Sequence, residues 1–148
     1  MEKIKMEQQL PIILASHGPF AQGAMECAQM LMGQQENIQI ISVLIDSNID
    51  ELRQQMIDSY QNLNKGNGVI ILVDIMGGTP CNLASELLIK YKDVLLFCGF
   101  NIPVLLEVLN NREGTLNDVK SAIEDAYPQS CIDVAKVINF QRENTTDL

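Results

Sequence analysis

The sequence predicts an α/β fold, a doubly wound three-layer sandwich built on a mostly parallel central sheet. Three observations carry that prediction. Short apolar runs alternate with segments of helical period along most of the chain. The run Val69-Ile-Ile-Leu-Val73 is apolar on both faces, as a central parallel strand covered on both sides must be. Strand–helix alternation over the first four units places helices on both faces of one sheet.

The elements follow in order. Ile12–Ala15 is strand-like, and Phe20 to Met32 then carries Phe20, Ala24, Cys27, Ala28 and Leu31 at helical spacing. Gly33 suits the residue just past that helix. Ile38–Leu44, rich in isoleucine and valine, is the second strand. Asp50 to Leu63 sets Leu52, Met56, Tyr60 and Leu63 on one helical face, closed by Lys65-Gly66-Asn67-Gly68. Ile70–Asp74 is the third strand. Thr79 reads as an N-cap and Pro80 as the first helical residue, opening a helix through Leu83, Leu87, Leu88 and Tyr91. Val94–Phe97 is a short fourth strand, and Gly99-Phe-Asn-Ile-Pro103 turns it into another helix with proline at its start. Thr115-Leu-Asn-Asp118 has the form of a capping box and begins a helix to about Tyr127. Ile132 to Phe140 fits a terminal strand and a short helix equally well. Gln141 to Leu148 is a polar tail, expected to fray.

A chain of 148 residues suits one domain with a sizeable core, so residues 1–148 are expected to form a single unit with its core at about 11–140. No apolar run approaches the length of a transmembrane helix. The N-terminal Met1-Glu-Lys-Ile-Lys-Met-Glu-Gln-Gln9 lacks the apolar centre of a signal peptide, which makes cytoplasmic residence the expectation. A net charge of -9 argues against nucleic acid and anionic membrane surfaces as partners. The same charge favours a partner with a basic face. Cys27, Cys81, Cys98 and Cys131 are widely spaced, with neither a zinc pattern nor a redox pair. Cys81 stands near a predicted helix start, where a thiol can be reactive, although a packed small residue reads as well.

The chemistry concentrates at two strand ends. His17, the only histidine, follows the first strand and precedes a glycine. Ligands bind at the carboxyl ends of strands in open α/β sheets. An imidazole is a neutral nucleophile near pH 7, provided one nitrogen is held and the other left free. Asp74, at the end of the third strand, is the candidate to hold it, because the first and third strands lie side by side in the common doubly wound order. Gly77 and Gly78 let backbone approach a ligand, and the helix starting near Thr79 offers unpaired N–H groups to a phosphate. Gly18 joins this set beside His17. Taken singly, each feature also fits a structural histidine, a turn aspartate, a tight glycine turn or a helix cap. The chain has no Gly-x-x-x-x-Gly-Lys-Ser/Thr loop and no Gly-x-Gly-x-x-Gly, so neither nucleotide fingerprint is present. Without a second histidine or a carboxylate cluster, no metal site is indicated.

Three stretches together resemble the IIA component of the mannose-type sugar phosphotransferase system. They are Ile13-Leu-Ala-Ser-His17-Gly, Leu72-Val-Asp74-Ile-Met-Gly77-Gly78-Thr79-Pro80-Cys-Asn82-Leu-Ala84-Ser, and Gly99-Phe-Asn101-Ile-Pro103-Val-Leu-Leu-Glu107. The resemblance spans about Pro11 to Tyr127. It implies a phosphotransferase in which His17 receives a phosphoryl group on Nε2 from HPr and passes it to a separate IIB component. The membrane IIC and IID components are then indirect partners, and no cofactor is needed. It implies Asp74 on Nδ1, and Gly18, Gly77, Gly78 and Thr79 around the phosphate. It further implies one antiparallel terminal strand, mapped to Ile132–Phe140, and a homodimer formed through it. The chain departs from the family pattern in carrying Thr79 where serine is common and Met76 where an aromatic residue is common. Pro19, after His17-Gly18, stiffens the start of the first helix. A phosphotransferase subunit of a dihydroxyacetone kinase, or a regulatory or binding module of the same fold, is the alternative.

Overall fold

In a computed structural model describing residues 9–146, four strands form one sheet in the order β2-β1-β3-β4, all parallel. They are β1 (Ile12–His17), β2 (Ile38–Val43), β3 (Val69–Val73) and β4 (Val94–Cys98). Between and after them run α1 (Phe20–Met32), α2 (Ile49–Leu63), α3 (Thr79–Lys90), α4 (Ile102–Asn111), α5 (Leu116–Ala126) and α6 (Val134–Thr146). The charged stretch at residues 1–8 lies outside the described residues, as do the last two residues of the tail.

The period-two alternation of β1 divides the core. Ile12 and Leu14 face the layer of α1, α4 and α5, with Ile70 and Leu72 from β3 beside them. Ile13 and Ala15 face α2 and α3, with Ile71 and Val73. Both faces of β3 and of Ile12–Ala15 in β1 are therefore covered, which is why these runs are continuously apolar. No helix among the described residues is long and apolar enough to cross a membrane.

Local chemistry fixes the helix ends. Asn48 and Asn101 accept from the N–H groups of Glu51 and Val104, and Thr115 with Asp118 forms the expected capping box. Two expectations shift by one position. Gly78, not Thr79, is the N-cap of α3, so Pro80 is its second residue. Pro103 likewise stands second in α4. In α1 the buried face is Ala21, Ala24, Met25 and Ala28, while Phe20, Cys27 and Leu31 are exposed. Three alanines let this helix lie close over the sheet, and the larger side chains turn outward.

The C-terminal segment corrects the terminal-strand expectation. Val134–Thr146 is a helix, and the sheet holds four parallel strands with no antiparallel member among the described residues. Asp133 starts it, its carboxylate accepting from the N–H of Ala135 at 3.0 Å. The helix also runs through Gln141 to Thr146, where a frayed tail was expected.

One buried cation ties the opposite end of the sheet. Arg112, 1% exposed, donates to the carbonyls of Leu10 (3.0 Å), Glu36 (2.7 Å) and Asn37 (3.3 Å) and to Gln35 Oε1 (3.2 Å). Burial pushes its pKa down to about 10, so it stays charged at pH 7, bound by carbonyl dipoles.

Candidate functional site

The register of β1 and β3 pairs Ala15 with Val73, which brings the residues just beyond them, His17 and Asp74, to one edge. Asp74 Oδ2 accepts from the backbone N–H of His17 at 2.9 Å and lies 2.7 Å from its Nδ1. Asp74 Oδ1 accepts from the N–H of Ile75 at 2.9 Å. Partial burial works to raise the Asp74 pKa. The backbone N–H of His17, its ring and the N–H of Ile75 together outweigh that and hold the carboxyl below its ordinary range. An ionised carboxylate only accepts, so the proton of the contact sits on Nδ1. In the neutral ring this tautomer leaves the lone pair on Nε2, on a side chain 48% exposed.

The loop carrying His17 is tied on both sides. Gly18 adopts φ +56° and donates its N–H to the carbonyl of Val43 on the neighbouring strand, at 2.8 Å. Ser16, fully buried, accepts from the N–H of Ala21 at 2.8 Å and donates to the carbonyl of Gly18 at 3.3 Å. Sequence reading gave Ser16 no role. The available signal was a polar residue at the end of an otherwise apolar strand, directly before the histidine.

Opposite stands the start of α3. Gly78 is in extended backbone (φ -81°, ψ 171°), and a Cβ there would come within 2.7 Å of His17 Cε1. Only glycine allows this approach with the ring held by Asp74. As an N-cap without a side chain, Gly78 leaves the first turn uncapped. Helix geometry leaves the N–H groups of Thr79 and Cys81 without intrahelical acceptors, and Pro80 has none to offer. Gly77 turns the chain at φ +80°, and Asn82 Nδ2 donates to its carbonyl at 3.4 Å. Hydrogen bonds thus join His17 to Asp74, the ring fills the space where a Gly78 side chain would stand, and Gly18, Gly77 and Thr79 flank them along the chain. A free imidazole nitrogen beside a helix N-terminus can accept and hold an anionic electrophile such as a phosphoryl group.

A shallow apolar depression lies beside the imidazole, lined by His17, Pro19, Phe20, Ala24, Cys27 and Ile102. The Phe20 ring is half exposed and packs on Phe100, with centroids 5.3 Å apart.

Comparison with known proteins gives one consistent family. Residues 11–126 match the family described as PTS system fructose IIA component. The PTS system fructose-specific EIIA component of Bacillus subtilis (strain 168) is 26% identical over 143 residues, covering 93% of this chain and 97% of that protein. The PTS system mannose-specific EIIAB component of Escherichia coli (strain K12) is 33% identical over 104 residues, which are 70% of this chain and 32% of the longer relative. Among solved structures, the PTS IIA protein associated with the fucose utilization operon of Streptococcus pneumoniae superimposes with a TM-score of 0.79 at 28% identity, covering 88% of this chain and 96% of that one.

Proposed function

Because the chain belongs to the PTS fructose IIA component family, we propose that His17 is the residue on which it carries a phosphoryl group during sugar uptake. Members of this family are phosphotransferases of the sugar phosphotransferase system. The observation that carries the assignment to His17 is the 2.7 Å contact of Nδ1 with Asp74, which leaves Nε2 as the available nucleophile of a half-exposed side chain.

In the proposed reaction the donor is HPr, itself phosphorylated on histidine. The Nε2 lone pair of His17 attacks phosphorus as the donor's P–N bond breaks, and that electron pair returns to the donor imidazole. The Nδ1 proton stays on His17, and the Asp74 carboxylate offsets the charge that the ring gains. The open amides of Thr79 and Cys81, the Thr79 hydroxyl and the backbone at Gly18, Gly77 and Gly78 hold the equatorial oxygens, so catalysis rests on positioning and charge stabilisation. The second step repeats the exchange toward a IIB component. The donor is already an activated phosphoramidate, so the reaction as written uses no metal or nucleotide.

Residues 1–148 serve as one phosphocarrier domain in this reading, working in the cytoplasm beside the membrane IIC and IID components. The apolar depression next to His17 suits a partner that must bring its own histidine within bonding distance. A homodimer also fits, since Ile132, Val134, Ile138 and Phe140 are all exposed along the C-terminal segment. Label supplied on phosphorylated cognate HPr should enter the chain and pass on to its IIB component. Retention of all label on HPr overturns the reading.

A further inference from the structure

Three sulfur atoms meet at the loop after β3. Met76 Sδ lies 3.7 Å from Cys98 Sγ and 4.0 Å from Cys81 Sγ. Met76 comes from the loop between β3 and α3, Cys98 is the last residue of β4, and Cys81 belongs to the first turn of α3. Cys98 and Met76 are exposed and Cys81 is buried, so the cluster opens to solvent on one side only. None of the three side chains contacts the His17–Asp74 pair in the hydrogen bonds described above.

A thiol is a weak donor and a thioether a weak acceptor, so hydrogen bonding alone gives two such contacts little energy. Two thiols and one thioether are, however, the donor set that selects monovalent copper over harder cations. A metal–sulfur bond of about 2.3 Å places the sulfurs of a trigonal site about 4 Å apart. The Met76–Cys98 and Met76–Cys81 separations fit two edges of such a site. Zinc is a poorer match: it takes four ligands, and no group of three His, Cys, Asp or Glu side chains converges among the described residues.

We propose that Cys81, Met76 and Cys98 form a binding site for a soft monovalent cation, with Cu(I) as its occupant. On binding, each thiol releases its proton to solvent and the metal takes two thiolates and the Met76 thioether. Copper stays in its +1 state, and the neutral cluster becomes a complex of net charge minus one. Cys81 places part of that charge in the first turn of α3, where the helix dipole favours an anion. The site shares the first turn of α3 with the proposed phosphate cradle but uses side-chain sulfurs, and its test reads metal retention and not phosphoryl transfer.

The test uses the full chain with the exposed thiols Cys27 and Cys131 replaced by serine, to remove bystander ligands. Cu(I) is titrated without oxygen against a chromophoric Cu(I) chelator, and stoichiometry is read by native mass spectrometry. One equivalent should be retained. Met76→Leu, which conserves volume at an exposed position, should weaken retention about tenfold or more. Cys98→Ser should remove stoichiometric binding, with circular dichroism showing both variants folded. No retained copper in the parent, or either variant matching it, would overturn the proposal.

Discussion

The imidazole of His17 occupies the space that a side chain at Gly78 would need. A Cβ on Gly78 would stand 2.7 Å from Cε1 and 3.3 Å from Nε2 of His17. The backbone at Gly78 is extended and open to any residue, so the constraint comes from the ring and not from φ. Gly78→Ala should therefore fold, at a cost of about 1 kcal/mol or less for the weaker N-cap. It should displace the ring from Asp74 and slow phosphoryl transfer by about tenfold or more. Thermal melting and phosphorylation kinetics check the two halves separately, and an alanine variant with the parent rate would remove this packing from the mechanism.

Asp74→Asn tests the tautomer. The amide keeps the shape of the carboxylate but can turn an N–H toward Nδ1, which would move the ring proton to Nε2 and block the nucleophile. The fold should persist and the transfer rate should fall by about two orders of magnitude or more, by analogy with the effect of this exchange in other histidine–aspartate pairs. The sign of the pH effect follows from the depressed Asp74 pKa. Its contribution to stability is complete above the ordinary carboxylate range and is lost as pH falls through the folded value. The stability gap between parent and Asn variant should thus narrow in acid, as followed by urea unfolding. A gap that widens in acid would contradict this.

Ser16→Ala removes the acceptor for the N–H of Ala21 and the tie to Gly18. Leaving a buried N–H unpaired should cost about 1–3 kcal/mol. Because the same hydroxyl anchors both sides of the His17 turn, the variant should also transfer phosphate more slowly at temperatures where it is fully folded. Denaturant midpoints and single-turnover rates distinguish a purely structural role from a positioning one.

Asp93 gives a second pH-dependent prediction, away from the site. Tyr60 Oη donates to its Oδ1 and Asn64 Nδ2 to its Oδ2, the latter at 2.7 Å, and these bonds hold the carboxyl below its ordinary range. Asp93→Asn should lower stability by about 1–2 kcal/mol at pH 7. The difference should shrink as pH falls below about 4, through the depressed folded value. Chemical unfolding at pH 7 and pH 3 measures it, and an equal loss at both pH values would contradict the assignment.

Much of this arrangement was legible in the chain because local and global signals agree there. The apolar runs at Ile12 and Val69 permit only a covered sheet, and glycines beside His17 and Asp74 mark the strand-to-helix turns. Elsewhere the answer depended on contacts far apart in sequence. Arg112 reads as a surface residue until its acceptors, 75 to 102 positions away, are in place. The turn of α1 that buries Ala21 instead of Phe20 follows from the Ser16 bond, which periodicity does not reveal. Val134, Val137 and Ile138 suit a helix, whereas Ile132, Val134 and Ile138 suit an alternating strand. The segment is exposed along its described length, and Asp133 starts it as a helix, its carboxylate accepting from the N–H of Ala135 and its carbonyl from that of Val137. Gly78, in extended backbone and accepting the first helical bond from the N–H of Asn82, caps α3 one residue before Thr79, a shift at a helix end that residue preference alone does not fix.

The most direct measurement is intact-protein mass spectrometry after incubation with phosphoenolpyruvate, enzyme I and cognate HPr, with His17→Ala alongside. A single acid-labile phosphoryl adduct on the parent chain, absent from the alanine variant, is the expected result. An adduct that survives His17→Ala, or a parent chain that gains none from competent HPr, would contradict phosphoryl transfer through His17.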